Sequence, residues 1–143
     1  MTTRKRNSER GITLIEMLVV VTIIALFATL VAPNMFKNLD KANVTAARTQ
    51  INNFEQALLQ YKVSTGTFPT MEQGLEALHT RPPNVAQWDG PYLKKEIPLD
   101  PWKHPYLYRY PGEHGDEPDI ISYGADGQPG GDGVNADIAN WKH

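Results

Sequence analysis

A glycine-rich acidic segment near the C-terminus has the residue types that could bind a metal ion. Residues 123–137 contain three carboxylates, two side-chain amides and five glycines. Hard cations such as Ca²⁺ take about six to eight oxygen ligands, and a flexible backbone can turn its carbonyl groups toward the ion. The segment is not an EF-hand, because the ligand spacing and the closing Glu are missing. Glycine and aspartate also favour turns, so an exposed turn cluster is the alternative interpretation.

A single carboxylate interrupts an apolar segment near the N-terminus. Glu16 is the only strongly polar side chain between Ile12 and Ala32. A charged side chain at the centre of a bilayer costs roughly 2.5–3.5 kcal/mol, so we expect Glu16 to face a partner rather than lipid. The alternative is that Glu16 lies close enough to the membrane surface for its side chain to reach the polar region.

No arrangement typical of a catalytic centre is present in the sequence. The chain has no cysteine, which excludes disulfide bonds and thiolate chemistry. Ser122 does not lie in a G-x-S-x-G nucleophile elbow, and no H-E-x-x-H pattern occurs. The four histidines are scattered: His79, His104, His114 and His143. We therefore predict no enzymatic activity, and no basic patch suggests nucleic-acid binding.

The apolar segment is about 20 residues long, enough to span a bilayer. Residues 1–11 carry a net charge of +3, and the positive-inside rule keeps such a segment in the cytoplasm and places the C-terminal part outside. A cleaved signal peptide is the alternative. No A-x-A-like cleavage site follows the apolar segment, which favours a membrane anchor.

The segment 36–62 has helical periodicity. Its apolar residues recur at spacings of three and four, at Ala47, Ile51, Phe54, Leu58 and Tyr61. We expect this segment to continue the apolar one as a single long helix, bent or locally unwound near Pro33. Gly66 is suited to end the helix.

A short second helix and a small sheet are predicted for the remainder. Thr70 and Gln73 have the spacing of a capping box, and the helix after them must stop before Pro82. Strands are predicted at 106–110 and 119–123, with a short one near 92–95. The expected fold is α+β, with an antiparallel meander packed on the C-terminal half of the long helix.

The segment from Arg10 to Glu16 (RGITLIE) resembles the type III signal of type IV pilins and type II pseudopilins. The resemblance implies that a prepilin peptidase cuts between Gly11 and Ile12, and that the new N-terminus at Ile12 is methylated. Glu16 is then the fifth residue of the mature chain, where its carboxylate can pair with the N-terminal amine of a neighbouring subunit. Unpaired charges are costly in a medium of low dielectric constant, so this pairing favours correct register.

Several later segments are similar to the major pseudopilin family of the type II secretion system. They are residues 73–78 (QGLEAL), 90–95 (GPYLKK), 100–102 (DPW), 105–106 (PY), 124–127 (GADG), 136–138 (ADI) and Trp141. The resemblance implies a type IV pilin-like fold with a leader at 1–11, a transmembrane and assembly helix at 12–33 and a periplasmic domain at 34–143. It implies a homopolymer, the short periplasmic filament that drives export of folded proteins across the outer membrane.

The implied partners of this filament are minor pseudopilins and the inner-membrane assembly platform, with the subunit anchored in the bacterial inner membrane. A type IV pilus subunit and a membrane-tethered calcium-binding domain are the alternatives. Type IV pilins usually close with a disulfide loop, which this chain cannot form.

The same resemblance implies a Ca²⁺ site in the acidic segment. The ligands it implies are the carbonyls of Tyr123 and Gln128, the carboxylates of Asp126 and Asp132, and the side chain of Asn135. Many relatives place the second aspartate one residue later, where this chain has Gly133. Asp137 is expected to cap or anchor the C-terminal turn instead.

We predict that the mature chain begins at Ile12. Intact mass of the protein extracted from membranes measures this directly, and Gly11→Phe should block the cut because a large side chain replaces glycine at the cleavage site. Gly11→Ala is the milder matched variant. A chain that retains residues 4–10 in cells with an active peptidase would contradict the prediction.

Overall fold

A computed structural model describes residues 11–142 of the chain, so nearly all of the predicted leader lies outside the described residues. The chain divides into two compact units, with the boundary between Asn38 and Leu39. Helix α1, Leu14–Thr65, supplies the described helical part of the first unit and continues into the second. The helix is not unwound at Pro33, where the sequence had predicted a bend or a local unwinding.

The first unit leaves its apolar side chains uncovered. The large apolar residues from Ile12 to Val31 are between 42% and 88% exposed. Within residues 11–142, one helix is long and apolar enough to cross a membrane; its most apolar window has a mean hydropathy of 2.7 and buries none of its residues in the fold. Such a surface needs lipid or other apolar helices around it.

The second unit builds its core on one face of α1. Ala47, Ile51, Phe54, Leu58 and Tyr61 are all buried, which confirms the predicted stripe. Because residues three and four apart lie on the same side of a helix, these five form a continuous apolar strip. The aromatic rings of Phe54 and Tyr106 meet edge to face at 5.1 Å.

The helix ends as predicted, and a tight turn follows it. Gly66 has a φ of 86° and donates its N–H to the Lys62 carbonyl, as expected of a glycine cap. The capping box also forms: Thr70 N–H donates to Gln73 Oε1 at 2.9 Å, and Gln73 N–H donates to Thr70 Oγ1 at 3.3 Å. It introduces a turn and the predicted short second helix, which is a one-turn 3₁₀ helix at Leu75–Leu78.

A three-stranded antiparallel sheet in the order β1-β2-β3 covers the helix face, which confirms the α+β fold. The strands are β1 (Leu107–Arg109), β2 (Asp119–Ser122) and β3 (Ile138–Ala139). The predicted strand near 92–95 is wrong. The backbone N–H groups of Tyr92 and Leu93 both donate to the Leu78 carbonyl, which fixes this segment as a loop. Strand β3 has only two residues and was not predicted.

A turn at 100–104 leads into the sheet and holds a lysine in an unfavourable backbone conformation. Lys103 has a φ of 75°. Its N–H donates to the Asp100 carbonyl at 2.9 Å, and Asp100 N–H donates to the His104 carbonyl at 2.8 Å. A side chain with a Cβ costs roughly 1–2 kcal/mol in this left-handed region, and glycine avoids that cost.

We expect Lys103→Gly to raise the free energy of unfolding by about 1 kcal/mol. Glycine adopts this φ without strain, and this gain exceeds the loss of stability that comes from the greater conformational entropy of glycine in the unfolded chain. Thermal melting of the full chain in detergent measures the change. Lys94→Gly is the control, since Lys94 is exposed and has no positive φ, and it should be neutral or destabilising. A lower melting temperature for Lys103→Gly would show that the positive φ of Lys103 is not a source of strain.

Candidate functional site

The predicted assembly residues lie at the start of α1. Gly11 and Ile12 precede the helix, and Ile12 is exposed. Thr13 caps the first turn, because its Oγ1 accepts the Glu16 N–H at 3.3 Å. Thr13 and Glu16 have the spacing of a capping box, yet within residues 11–142 the Glu16 carboxylate forms no hydrogen bond or ion pair. The carboxylate is therefore free to meet a partner from outside this part of the chain.

Two stretches of the acidic C-terminal segment lie side by side: residues 123–126, the first limb, and residues 134–137, the second limb. Ala125 N–H donates to the Val134 carbonyl at 2.9 Å. A Cβ on Gly124 would lie 2.7 Å from that same oxygen and 2.9 Å from the Asn135 carbonyl carbon, so only glycine allows this approach. Folding thus brings residues 123–126 next to residues 134–137.

The structure places the predicted metal ligands unevenly along these limbs. Asp126 is exposed and accepts the Gln128 N–H at 3.1 Å, closing a tight turn. Asp132 is exposed and precedes the short 3₁₀ helix Gly133–Asn135, without a side-chain hydrogen bond to it. Tyr123 and Asn135 are half-buried. Across residues 11–142, no three Asp, Glu, His or Cys side chains converge as a metal cluster, so a cation here would depend on carbonyl and amide oxygens as well as carboxylates.

Asp137 is the residue that sequence reasoning left out of the metal set. Its Oδ2 accepts the Gly130 N–H at 2.9 Å, which ties the middle of the segment to its end. Its Oδ1 is buried and has no hydrogen-bond partner within the described residues. An unsatisfied buried carboxylate oxygen is costly, and a bound cation is one way to satisfy it. Its position within the glycine-rich acidic segment was the available signal, but sequence could not show which oxygen is buried.

A buried carboxylate organises the turn that abuts this segment. Asp100 is 2% exposed; its Oδ1 accepts the N–H groups of Trp102 at 3.0 Å and His104 at 2.8 Å. Its Oδ2 accepts the Ser122 hydroxyl at 2.6 Å. These three hydrogen bonds replace the hydration that the carboxylate loses on burial, which keeps the free-energy cost of burying it low. Burial, together with the negative charge of Asp100, raises the pKa of Tyr106 to about 12.

A second buried carboxylate holds the loop that precedes β2. Asp119 Oδ2 accepts the Glu113 N–H at 2.9 Å and lies 2.9 Å from His114 Nδ1. The His114 ring stacks on Trp141, with centroids 3.8 Å apart and planes at 8°. The cluster is structural in its contacts.

Comparison with protein families gives two matches that together cover nearly the whole chain. Residues 34–141 match the family described as type II secretion system (T2SS), protein G. Residues 6–32 match the prokaryotic N-terminal methylation motif.

Curated relatives match over nearly their full length. The chain is 43% identical over 141 residues to type II secretion system core protein G of Vibrio cholerae serotype O1, covering 96% of this chain and 95% of that protein. It is 41% identical over 140 residues to the protein of the same name from Pseudomonas aeruginosa, covering 96% and 98%.

A solved structure also matches the fold. It is the major pseudopilin from the type 2 secretion system of enterohaemorrhagic Escherichia coli, with a TM-score of 0.64 and 35% sequence identity. The match covers 78% of this chain and 96% of that chain. The long helix and the small antiparallel sheet therefore have a close structural counterpart.

Proposed function

Because the chain belongs to the type II secretion system protein G family, we propose that it is the major structural subunit of the type II secretion pseudopilus. In this role it polymerises into a short periplasmic filament that drives export of folded proteins across the outer membrane. The relatives and the solved pseudopilin support this function rather than a type IV pilus subunit or a solitary tethered domain. Its work is structural, and the proposal involves no catalytic step.

One observation carries this proposal beyond family membership. Among the residues that the structure describes, the most apolar stretch of α1 has no side chain buried in the fold. Lipid covers such a helix before assembly, and the helices of neighbouring subunits can cover it in a filament. The polar globular unit beyond Leu39 then remains outside the membrane.

Glu16 gives the packed helices a register. Cleavage between Gly11 and Ile12 creates an amine four residues before the Glu16 backbone, within the same apolar environment. A carboxylate without a partner in that environment is costly, and the amine of an adjacent subunit neutralises it. Only one axial offset between two helices brings the two charges together, so the pair selects that offset.

The remaining assignments follow from this role. A prepilin peptidase removes residues 1–11 and the amine of Ile12 is methylated. Residues 12–33 anchor the subunit in the bacterial inner membrane, and residues 34–143 form the periplasmic domain. Minor pseudopilins and the inner-membrane assembly platform are its partners, in addition to further copies of the same chain.

We expect Glu16→Ala to insert into the membrane at least as well as the native chain but to form few filaments. The substitution removes the insertion cost of the charge and also the partner of the neighbouring amine. Membrane fractionation and counts of surface filaments after overexpression with the secretion machinery measure the two effects separately. Glu72→Ala, which removes an exposed carboxylate of the globular unit, is the control. A normal filament yield from Glu16→Ala would refute the pairing.

The acidic C-terminal segment fits a calcium ion as the domain's stabilising ligand. Its donors are oxygens, its limbs are already held together, and Asp137 Oδ1 is a buried carboxylate oxygen in need of a partner. We assign Tyr123, Asp126, Gln128, Asp132 and Asn135 as the site and add Asp137. A domain without disulfide bonds gains from such a staple, because a ligand that binds only the folded state stabilises it.

We expect calcium to raise the melting temperature of the full chain in detergent relative to chelator. A ligand present at about a hundredfold its Kd stabilises by roughly 2.7 kcal/mol, which corresponds to a shift on the order of 10 °C for a domain of this size. Asp126→Ala should remove most of the shift, since it deletes a charged ligand. Asp132→Ala and Asp137→Asn test the other two carboxylates in the same way.

The exposed Asp116 lies outside the segment, so Asp116→Ala is the matched control and should keep the full shift. An unchanged melting temperature for the native chain in millimolar calcium would return the segment to the alternative of an exposed turn cluster. The filament counts for Glu16→Ala are measured independently of calcium binding, so the proposed assembly role does not depend on this result.

A further inference from the structure

The imidazole of His104 contacts the acidic segment without being one of its predicted ligands. His104 Nδ1 lies 3.1 Å from the Gly124 carbonyl oxygen, a distance at which the Nδ1–H tautomer donates a hydrogen bond. The ring also covers Gly127, where an added Cβ would lie 3.0–3.2 Å from three ring atoms. Gly127 has a φ of 66°, so both its backbone conformation and the imidazole exclude a side chain there.

Gly124 and Gly127 flank Asp126, and Gly124 follows Tyr123. The His104 contacts therefore bracket the first limb of the proposed calcium site. A hydrogen bond to the Gly124 carbonyl fixes the peptide plane that joins Gly124 to Ala125, because the peptide group is planar. Fixing this plane limits the positions available to Asp126, two residues further on.

The preceding peptide plane is held by the same turn through Ser122. Ser122 is fully buried; its hydroxyl donates to Asp100 Oδ2 at 2.6 Å and accepts the Gly124 N–H at 3.4 Å. The Gly124 N–H and the Tyr123 carbonyl belong to one planar peptide group, so holding the first orients the second. The Tyr123 carbonyl is one of the proposed calcium ligands.

Asp100 connects the two contacts. Its Oδ1 accepts the backbone N–H of His104 at 2.8 Å, and its Oδ2 accepts the hydroxyl of Ser122. One buried carboxylate thus positions both groups that hold Gly124, one on each side. The 100–104 turn is in this way a rigid support for the backbone of the first limb.

We propose that His104 is a positioning residue for the calcium site, acting through the Gly124 peptide with Asp100 and Ser122 as its support. This inference rests on the proposed calcium site and adds to it a determinant of affinity that makes no contact with the ion. With the support in place, the first limb is already close to its binding conformation. Without it, calcium binding must also order that backbone, and the affinity falls by the cost of the ordering.

The test compares calcium affinity with stability in the absence of calcium. Calcium is titrated into the full mature chain in detergent by calorimetry, and melting in chelator is measured on the same samples. His104→Leu keeps a side chain of similar size over Gly127 but has no donor. We expect it to weaken calcium binding roughly tenfold, as the loss of a group that orients a metal ligand commonly does. His104→Asn restores a short side-chain donor and should recover most of the affinity.

His79→Leu is the matched control. His79 Nδ1 lies 3.0 Å from the Leu93 carbonyl, so it makes the same kind of hydrogen bond, from a half-buried position, to a loop outside the acidic segment. This substitution should lower the melting temperature in chelator but leave calcium affinity within about twofold, since it disturbs no peptide near the site.

The outcomes separate the inference from the calcium site itself. Weaker binding in His104→Leu with recovery in His104→Asn supports the positioning role. Unchanged affinity with a lower melting temperature in chelator overturns it, because His104 then only stabilises the fold, while the calcium site stands. Equal losses in His104→Leu and His104→Asn also overturn it, since the donor is then not the cause. No calcium binding by the native chain overturns both the site and this inference and leaves filament assembly unaffected.

Discussion

One face of one helix supports the whole globular unit. The strip from Ala47 to Tyr61 is buried along its length, and the 3₁₀ turn, the 92–97 loop and the sheet all contribute side chains to the same core. A unit of about 100 residues has little apolar surface to bury, so its stability is modest and depends on this strip being continuous. The sheet is too small to be stable alone, because its strands have only two to four residues.

Hydrogen bonds from buried polar side chains hold the loops of this unit in place, as disulfide bonds do in many small extracytoplasmic domains. Asp100 and Asp119 are nearly inaccessible and accept hydrogen bonds from backbone N–H groups in loops that have no regular pairing. Asn140 extends the sheet with its side chain: its Oδ1 accepts the Ile120 N–H, and its Nδ2 donates to the Pro118 carbonyl. Loops rich in proline cannot satisfy their own backbone groups, so these side chains complete them. The Arg48 guanidinium, which donates to the Lys142 carbonyl at 2.6 Å, ties the chain end back to the helix.

The same helix serves two environments, and this explains the position of each functional feature. Except at Glu16, its first part is apolar on all sides, as a surface surrounded by lipid or by like helices requires. Its second part is apolar on one face only, as a surface shared between a core and water requires. The residues proposed for assembly therefore lie at the start of the helix, while the acidic segment proposed to bind calcium lies in the globular unit, where water and free ions reach it. The sheet and the 100–104 turn together fix that segment to the core.

Sequence alone determined the features that depend on local pattern. Helical spacing identified the core strip, the apolar length identified the part of α1 that is long and apolar enough to cross a membrane, and the Thr70–Gln73 spacing identified a capping box that forms as expected. The motifs around Gly11 and in the C-terminal half were enough to indicate the family. The predicted strand at 92–95 failed because its pattern was too short to outweigh the hydrogen bonds that Tyr92 and Leu93 make to Leu78.

Only the tertiary structure decided the features that depend on distant partners. Strand β3 has two residues, and it is a strand only because β2 lies beside it. The Asp137 Oδ2 accepts the N–H of Gly130, seven residues away, and leaves Oδ1 buried; His104 contacts Gly124, 20 residues away. Both contacts cross turns whose geometry is set by the core. Residue types can name candidate ligands, but which oxygen is buried, and which side chain holds the backbone behind it, follows from how the limbs pack. Packing is a property of the whole folded unit, so no local pattern in the sequence encodes it.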